Sequence, residues 1–394
     1  MTQIRRVSQR LQALPGSATM AISARAREMA AEGRHVIAFA AGEPDFATPE
    51  YITAAASRAT HDPANHHYTA NAGVPELREA VATYTREYSA VEVDPSEIMV
   101  TNGAKQAVYQ TFAALIDPGD EVLLPSPHWV TYPAGVTLSG GVPVPVETGI
   151  DQGFKVTVDQ LEQKRTSRTR MLVFVSPSNP TGAVYTAEEA QAIGEWARDN
   201  DVWVMADEIY QRLVYTGGDA PSIAAVTPRF ENWILINGVS KAYAMTGWRV
   251  GWMIGPRDMV DAAARLQSHA TSNVGNVSQH AALAALRGPQ DTVEEMRLAF
   301  DRRRKLMYSM LDDIDGVTCI EPEGAFYAFP DVSELLGDRW ASSVDLATDI
   351  IEQGAVALVP GESFGAPGFL RLSYATGDAD IEEGIGRIAS IIRG

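Results

Sequence analysis

Cysteine is almost absent from this chain: of 394 residues, only Cys319 carries a thiol. No disulfide can form within one chain, and no thiolate cluster can hold a metal. Positive charge is also scarce, with 32 Lys and Arg against 50 Asp and Glu and a net charge of −18. Such a field repels phosphate backbones and anionic headgroups, so nucleic acid and membrane surfaces are poor partners. No apolar run approaches the roughly 18 residues of a spanning helix. The opening stretch, MTQIRRVSQRLQALPGS, has arginines but no apolar core of signal-peptide length. These absences predict a chain without a secretion signal, in a reducing, cytoplasmic compartment. No fixed-period repeat or low-complexity tract occurs, which removes solenoids and propellers.

What is present is ordinary globular material, 45% hydrophobic and 21% charged, enough for roughly two or three domains with a sizeable core. Short β-branched runs at Ile98 to Thr101, Glu121 to Leu124, Met171 to Val175, Val202 to Ala206 and Trp233 to Asn237 read as buried strands of a mainly parallel sheet. Thr186 and Glu189 form a capping-box signature, and Ala190, Ile193 and Ala197 then share one helix face. That helix closes a βαβ unit. Trp196, Trp203 and Trp233 lie on these patterns and are expected in the core.

From about Gln290 the texture changes. A long charged helix pattern, Val293 to Leu311, precedes short strands near Val317, Phe326, Val356 and Leu370 and a last helix from Asp380. The stretch before Pro49 is too short to be a domain, and its Pro15-Gly16 and Gly42-Glu43-Pro44 turns suggest a segment lying across the other two parts. The expected fold is α/β: a three-layer α/β/α large domain over 46–290 with a mostly parallel sheet. A discontinuous smaller α+β domain, 1–45 and 291–394, accompanies it.

Four stretches follow strands where open α/β sheets bind ligands. Thr101-Asn102-Gly103-Ala104-Lys105 opens a helix, Gln106 to Ile116, whose free N–H groups suit a phosphate as well as they suit a plain turn. Ser176 to Gly182 is a rigid Pro-rich turn in which Asn179 can donate a hydrogen bond, or simply shape the turn. Asp207-Glu208-Ile209-Tyr210 puts an acid at a buried strand end, where it needs a partner, local or bound. In Gly238 to Gly251, Lys241 sits among small and apolar residues that lower an amine's pKa, and Arg249 can grip a dianion. The histidines, His66-His67 included, show no metal-ligand spacing, and no metal is expected.

Gly238-Val239-Ser240-Lys241 with Gly247-Trp248-Arg249-Val250-Gly251 closely resembles the pyridoxal-phosphate attachment signature of class I aminotransferases, the aspartate aminotransferase family of fold type I. Gly42 to Phe46, Tyr68, Thr101 to Gln106, Trp129, Asn179 to Gly182, Asp207 to Tyr210, Gly324 to Tyr327 and Arg371 to Tyr374 occur in the family's order. The resemblance runs from about Arg6 to the C-terminus.

It implies pyridoxal 5'-phosphate as cofactor and a role for each matching position. Lys241 would hold the cofactor aldehyde as a Schiff base and then move the substrate proton as base and acid. Asp207 would keep the pyridine nitrogen protonated, and Tyr210 and Asn179 would hydrogen-bond the ring oxygen. Trp129 would stack on the ring, and Gly103, Ala104, Lys105, Ser240 and Arg249 would line the phosphate site. Tyr68 would reach the phosphate of the neighbouring subunit, implying a homodimer with shared sites. Arg371 would clamp the α-carboxylate of the amino acid or 2-oxo acid, with Gly42, Trp129 and Asn179 also facing substrate.

The resemblance also bears on the substrate. Animal-type aspartate enzymes hold the distal carboxylate with the partner's arginine, yet His269 to Asn276 contains no arginine. A bacterial subgroup uses a lysine at the position of Lys105, which favours an acidic substrate, although that subgroup's loop usually has Gly where this chain has Ala104. Prephenate-accepting members have a basic residue near the N-terminus, and Leu14-Pro15-Gly16-Ser17 has none. The expectation is ping-pong transamination of aspartate with 2-oxoglutarate. Another aminotransferase specificity, aromatic, prephenate or specialised, is the alternative. A pyridoxal-phosphate lyase and a non-catalytic regulator come after it.

Overall fold

Each β-branched run forms a strand, and with two further strands the five make a seven-stranded sheet. The computed structural model describes residues 7–12, 14, 18–227 and 231–394. In chain order the strands are β1 (Ile37–Ala38), β2 (Ile98–Thr101), β3 (Glu121–Ser126), β4 (Val142–Glu147), β5 (Thr169–Val175) and β6 (Trp203–Asp207). Then come β7 (Trp233–Gly238), β8 (Gly251–Ile254), β9 (Tyr327–Ala328), β10 (Val356–Ala357), β11 (Val359–Pro360) and β12 (Leu370–Ser373).

The large sheet has the order β2-β8-β7-β6-β5-β3-β4. All its pairings are parallel except the two made by β8, which runs antiparallel between β2 and β7. Neither β4 nor β8 is in the sequence expectation. The Val-Pro-Val-Pro pattern of β4 belongs to an edge strand, where prolines can direct their missing N–H away from the ladder. The four residues of β8 follow directly on the Lys241 loop, and nothing in their length separates them from it.

Side chains alternate between the two faces with the period of a strand. Ile98, Val100, Leu123, Leu172, Phe174, Val204 and Leu235 join one apolar cluster, which the helices Glu50–Ala59, Pro75–Tyr84, Ala187–Asp199 and Asn276–Arg287 cover. Met99, Val122, Leu124, Met171, Val173, Met205 and Ile236 join the other, under Ala104–Leu115, Thr131–Leu138 and Arg257–Ala270. The result is the expected α/β/α sandwich. Thr186 caps Ala187–Asp199 through the capping box with Glu189, and this helix connects the parallel neighbours β5 and β6. Trp196 is buried, and Trp203 and Trp233 pack at the margins of the core.

A third apolar cluster, with Phe300, Met307, Phe326 and Ile385, lies among the helices Asp291–Asp312, Ser343–Gly354 and Asp378–Arg393. Beside it run a three-stranded antiparallel sheet, β11-β12-β9, and the parallel pair β1-β10. Ile37 and Phe39 belong to this cluster, so the N-terminal segment packs with the C-terminal third of the chain. No strand forms near Val317. Thr318 makes only an isolated bridge to Asp331, because the chain turns away after one pairing. The turn expected at Pro15-Gly16 lies outside the described residues. Among the described residues, no helix is long and apolar enough to cross a membrane.

Candidate active site

The sheet direction brings the sequence-selected stretches to one place. β2, β3, β5, β6 and β7 end at a common edge, and β8 starts there. The 103–105 loop, His128 and Trp129, the 176–182 turn, Asp207 and the Lys241 loop follow these ends, and Arg249 precedes β8.

Gly103 caps the helix Ala104–Leu115 with φ +78°. A Cβ here would stand 2.5 Å from Arg249 Nη2, so glycine alone leaves room for the guanidinium against the loop. Arg249 itself is left-handed at φ 57° and donates to the carbonyls of Thr246 and Asn102 at 2.9 and 3.3 Å. Ser240, in the same loop, is buried. The cradle combines a helix N-terminus, two small residues and a guanidinium, the donor set a phosphate requires.

Asp207 is buried at the end of β6, with Oδ2 accepting from Tyr132 at 2.9 Å and Oδ1 from the Ile209 amide at 3.2 Å. Burial lifts its carboxyl to about 6, and the two hydrogen bonds and Lys241 hold it back from going higher. Lys241 Nζ donates to the Gly42 carbonyl at 2.5 Å. Desolvation brings its ammonium down to about 8, opposed chiefly by Glu43. The amine is therefore poised where it exchanges a proton near neutrality.

Arg371 on β12 is buried, donating to Asn179 Oδ1 and the Ala40 carbonyl at 3.0 Å each and lying over the ring of Tyr327 at 4.5 Å. Its Nε has no partner among the described residues, an unused donor in a buried guanidinium. Tyr210 and Tyr327 share a hydrogen bond of 2.9 Å between their hydroxyls. Lys105 Nζ lies 4.8 Å over the ring of Trp129 and makes no ion pair with a described residue. Burial and Arg249 lower its pKa.

Tyr68 is 90% exposed on the single chain. Tyr132, Tyr327 and Glu43 also stand in the site, without a role in the sequence motifs. Tyr132 stands three residues after Trp129, and the other two lie inside quoted motifs. The Gly103 cradle, the amine of Lys241 and the buried acid at Asp207 fit a phosphorylated, nitrogen-bearing aromatic aldehyde, and the partnerless Nε of the buried Arg371 fits a carboxylate.

A family model described as "Aminotransferase class I and II" matches residues 34–388. An aspartate aminotransferase of Streptomyces avermitilis is 55% identical, covering 98% of this chain and 97% of the relative. An aspartate aminotransferase of Geobacillus stearothermophilus is 45% identical, covering 97% and 98%. The crystal structure of an aspartate aminotransferase from Rhizobium meliloti superposes with a TM-score of 0.95 at 39% identity, covering 99% of each chain.

Proposed function

Since this chain belongs to the class I and II aminotransferases, we propose that it transfers the amino group of aspartate to 2-oxoglutarate, giving oxaloacetate and glutamate, with pyridoxal 5'-phosphate as cofactor. One observation carries the reading: Lys241, Asp207, Arg249 and Arg371 converge at one sheet edge, with Lys105 beside them in no ion pair with a described residue.

When bound, the cofactor supplies an aldehyde that takes up amino groups and a ring that draws electrons from the substrate carbon. Gly103, Ala104, Ser240 and Arg249 would hold its phosphate, and Lys241 would anchor it through Nζ. Asp207 would keep a proton at the ring nitrogen. Its charge, costly in an empty buried site, would then have a cation to face. Tyr210 and Asn179 would donate to the ring oxygen, and Trp129 would cover the ring face.

Arg371 would bind the substrate α-carboxylate through a guanidinium already oriented by Asn179 and the Ala40 carbonyl, so little ordering remains to be done on binding. Released from its anchoring role, Lys241 Nζ would take the proton from the substrate Cα, a transfer suited to an amine titrating near 8. Lys105 would meet the distal carboxylate, and its desolvated position strengthens that pairing.

In this reading residues 46–290 form the cofactor domain, and 1–45 with 291–394 form the arm and small domain. The active species is a cytoplasmic homodimer in which Tyr68 serves the partner's phosphate site. A half-reaction screen tests the function. Purified holoenzyme mixed with single amino acids should lose its aldehyde-form absorption with aspartate and glutamate and far less with neutral ones. A lasting response to neutral amino acids alone would overturn the assignment.

A further inference from the structure

Glu43 has no task in this mechanism, yet its surroundings fix where its carboxylate sits. Oε2 accepts from Thr246 Oγ1 at 2.7 Å, within the loop that carries Lys241. One residue earlier, the Gly42 carbonyl receives Lys241 Nζ. Two residues later, Asp45 is gripped by both Nη atoms of the buried Arg303 at 2.8 and 2.9 Å, and that guanidinium lies 5.0 Å over the ring of Phe46. Thr48 adds a bond to the Ala244 carbonyl at 2.7 Å. An exposed glutamate ordinarily samples many rotamers; this one is braced on both sides and tied to the lysine's own loop.

The charged groups facing Lys241 are Glu43 from the N-terminal segment, Asp207 from the end of β6, Arg249 from the lysine's own loop and Arg371 from β12. The rings of Tyr210 and Phe326 complete its surroundings at 5.9 and 5.7 Å. Two cations and desolvation all push the amine towards neutrality. With Asp207 committed to the cofactor nitrogen, Glu43 is the acid among these groups that is left to oppose them.

We propose that Glu43 is a positioning residue for Lys241: held by Thr246 of the lysine's own loop, next to the Gly42 carbonyl that receives the amine and braced by the Asp45–Arg303 pair, its carboxylate makes the amine a stronger proton acceptor at the substrate Cα. The inference rests on the role given to Lys241 above. A stronger base takes the substrate proton with more driving force, provided that enough of it is unprotonated at the working pH.

Competitive acetylation of Lys241 in the cofactor-free protein, followed across pH by peptide mass spectrometry, reads the amine directly. Glu43→Gln should move its titration down by roughly 0.5–1 pH unit, a charge effect discounted for the exposure of the carboxylate. Glu43→Asp, which keeps the charge, should restore most of the shift, and Thr246→Val should fall between them. In the loaded enzyme the ascending limb of kcat against pH should move in the same direction. An unchanged labelling titration in Glu43→Gln, at an unchanged melting temperature, overturns the proposal. The labelling needs neither cofactor nor turnover, so it separates this result from failure of the functional reading, which would show as wild-type protein that develops no visible absorption with pyridoxal phosphate.

Discussion

Tyr132 donates its phenolic hydrogen to Asp207 Oδ2 at 2.9 Å although 75 positions separate the two in the chain. The bond stabilises the ionised carboxylate, and burial opposes it more strongly, leaving the acid at about 6 instead of its ordinary 3.8. The cofactor-free protein therefore carries a destabilising charge at neutral pH, held ready for a cationic ligand.

Asp207→Asn should accordingly stabilise the cofactor-free chain while removing activity. A folded-state value raised above the unfolded one means that the destabilisation is fully present above about pH 6 and disappears as pH falls below the unfolded value. The shift corresponds to on the order of 2–3 kcal/mol at pH 7. Melting curves of the two apoproteins should differ at pH 7 and converge near pH 4. A parallel offset at both pH values would point to altered packing instead.

Lys241→Ala should abolish the Schiff-base absorption of the holoenzyme and lower kcat/KM by at least ~10²–10⁴-fold, the usual weight of a positioned acid–base group. Cofactor can still be retained through the phosphate cradle at Gly103 and Arg249, so equilibrium dialysis should find it bound though spectrally changed. Wild-type turnover in this variant would remove Lys241 from the chemistry.

Much of this layout is legible in the sequence because the sheet is built from β-branched runs bounded by turns, and because the chemistry follows strand ends. The interior of β5 and the capping box at Thr186 need only local rules. β4 is hidden by its prolines, which argue against a strand everywhere except at a sheet edge. The pairing of Arg371 with Asn179 spans 192 positions, and no local pattern encodes it. Topology creates such contacts, as it does for Tyr132 and Asp207, and motif order points to them only through resemblance.

The exposed Tyr68 leads to a different measurement. At 90% exposure a tyrosine contributes little to the packing of its own chain, which leaves it available for the shared site proposed above. Sedimentation at assay concentration should give a dimer or larger. Mixing Tyr68→Ala with Lys241→Ala, followed by subunit exchange, should raise activity above that of either variant alone, because one site of each hybrid regains both residues. Activity in a purely monomeric fraction would refute the shared site.

Lys105 offers the sharpest test of substrate choice. Its ammonium is partly desolvated beside Trp129 and makes no ion pair with a described residue, while Arg371 and Arg249 are already assigned to the α-carboxylate and the phosphate. An unpaired, desolvated cation gains most from a carboxylate, and truncating one member of such a pair costs ~2–5 kcal/mol. Lys105→Ala should therefore lower kcat/KM for aspartate by roughly 30-fold to over 1,000-fold. Phenylalanine, with no distal charge, should lose much less. Comparing the two substrates within one variant cancels any damage to cofactor binding, which matters because Lys105 lies in the first turn of the helix that Gly103 caps. An equal loss for both would make Lys105 a residue of the phosphate loop alone. The acidic-substrate reading would then lose its main support, and the general aminotransferase reading would stand alone.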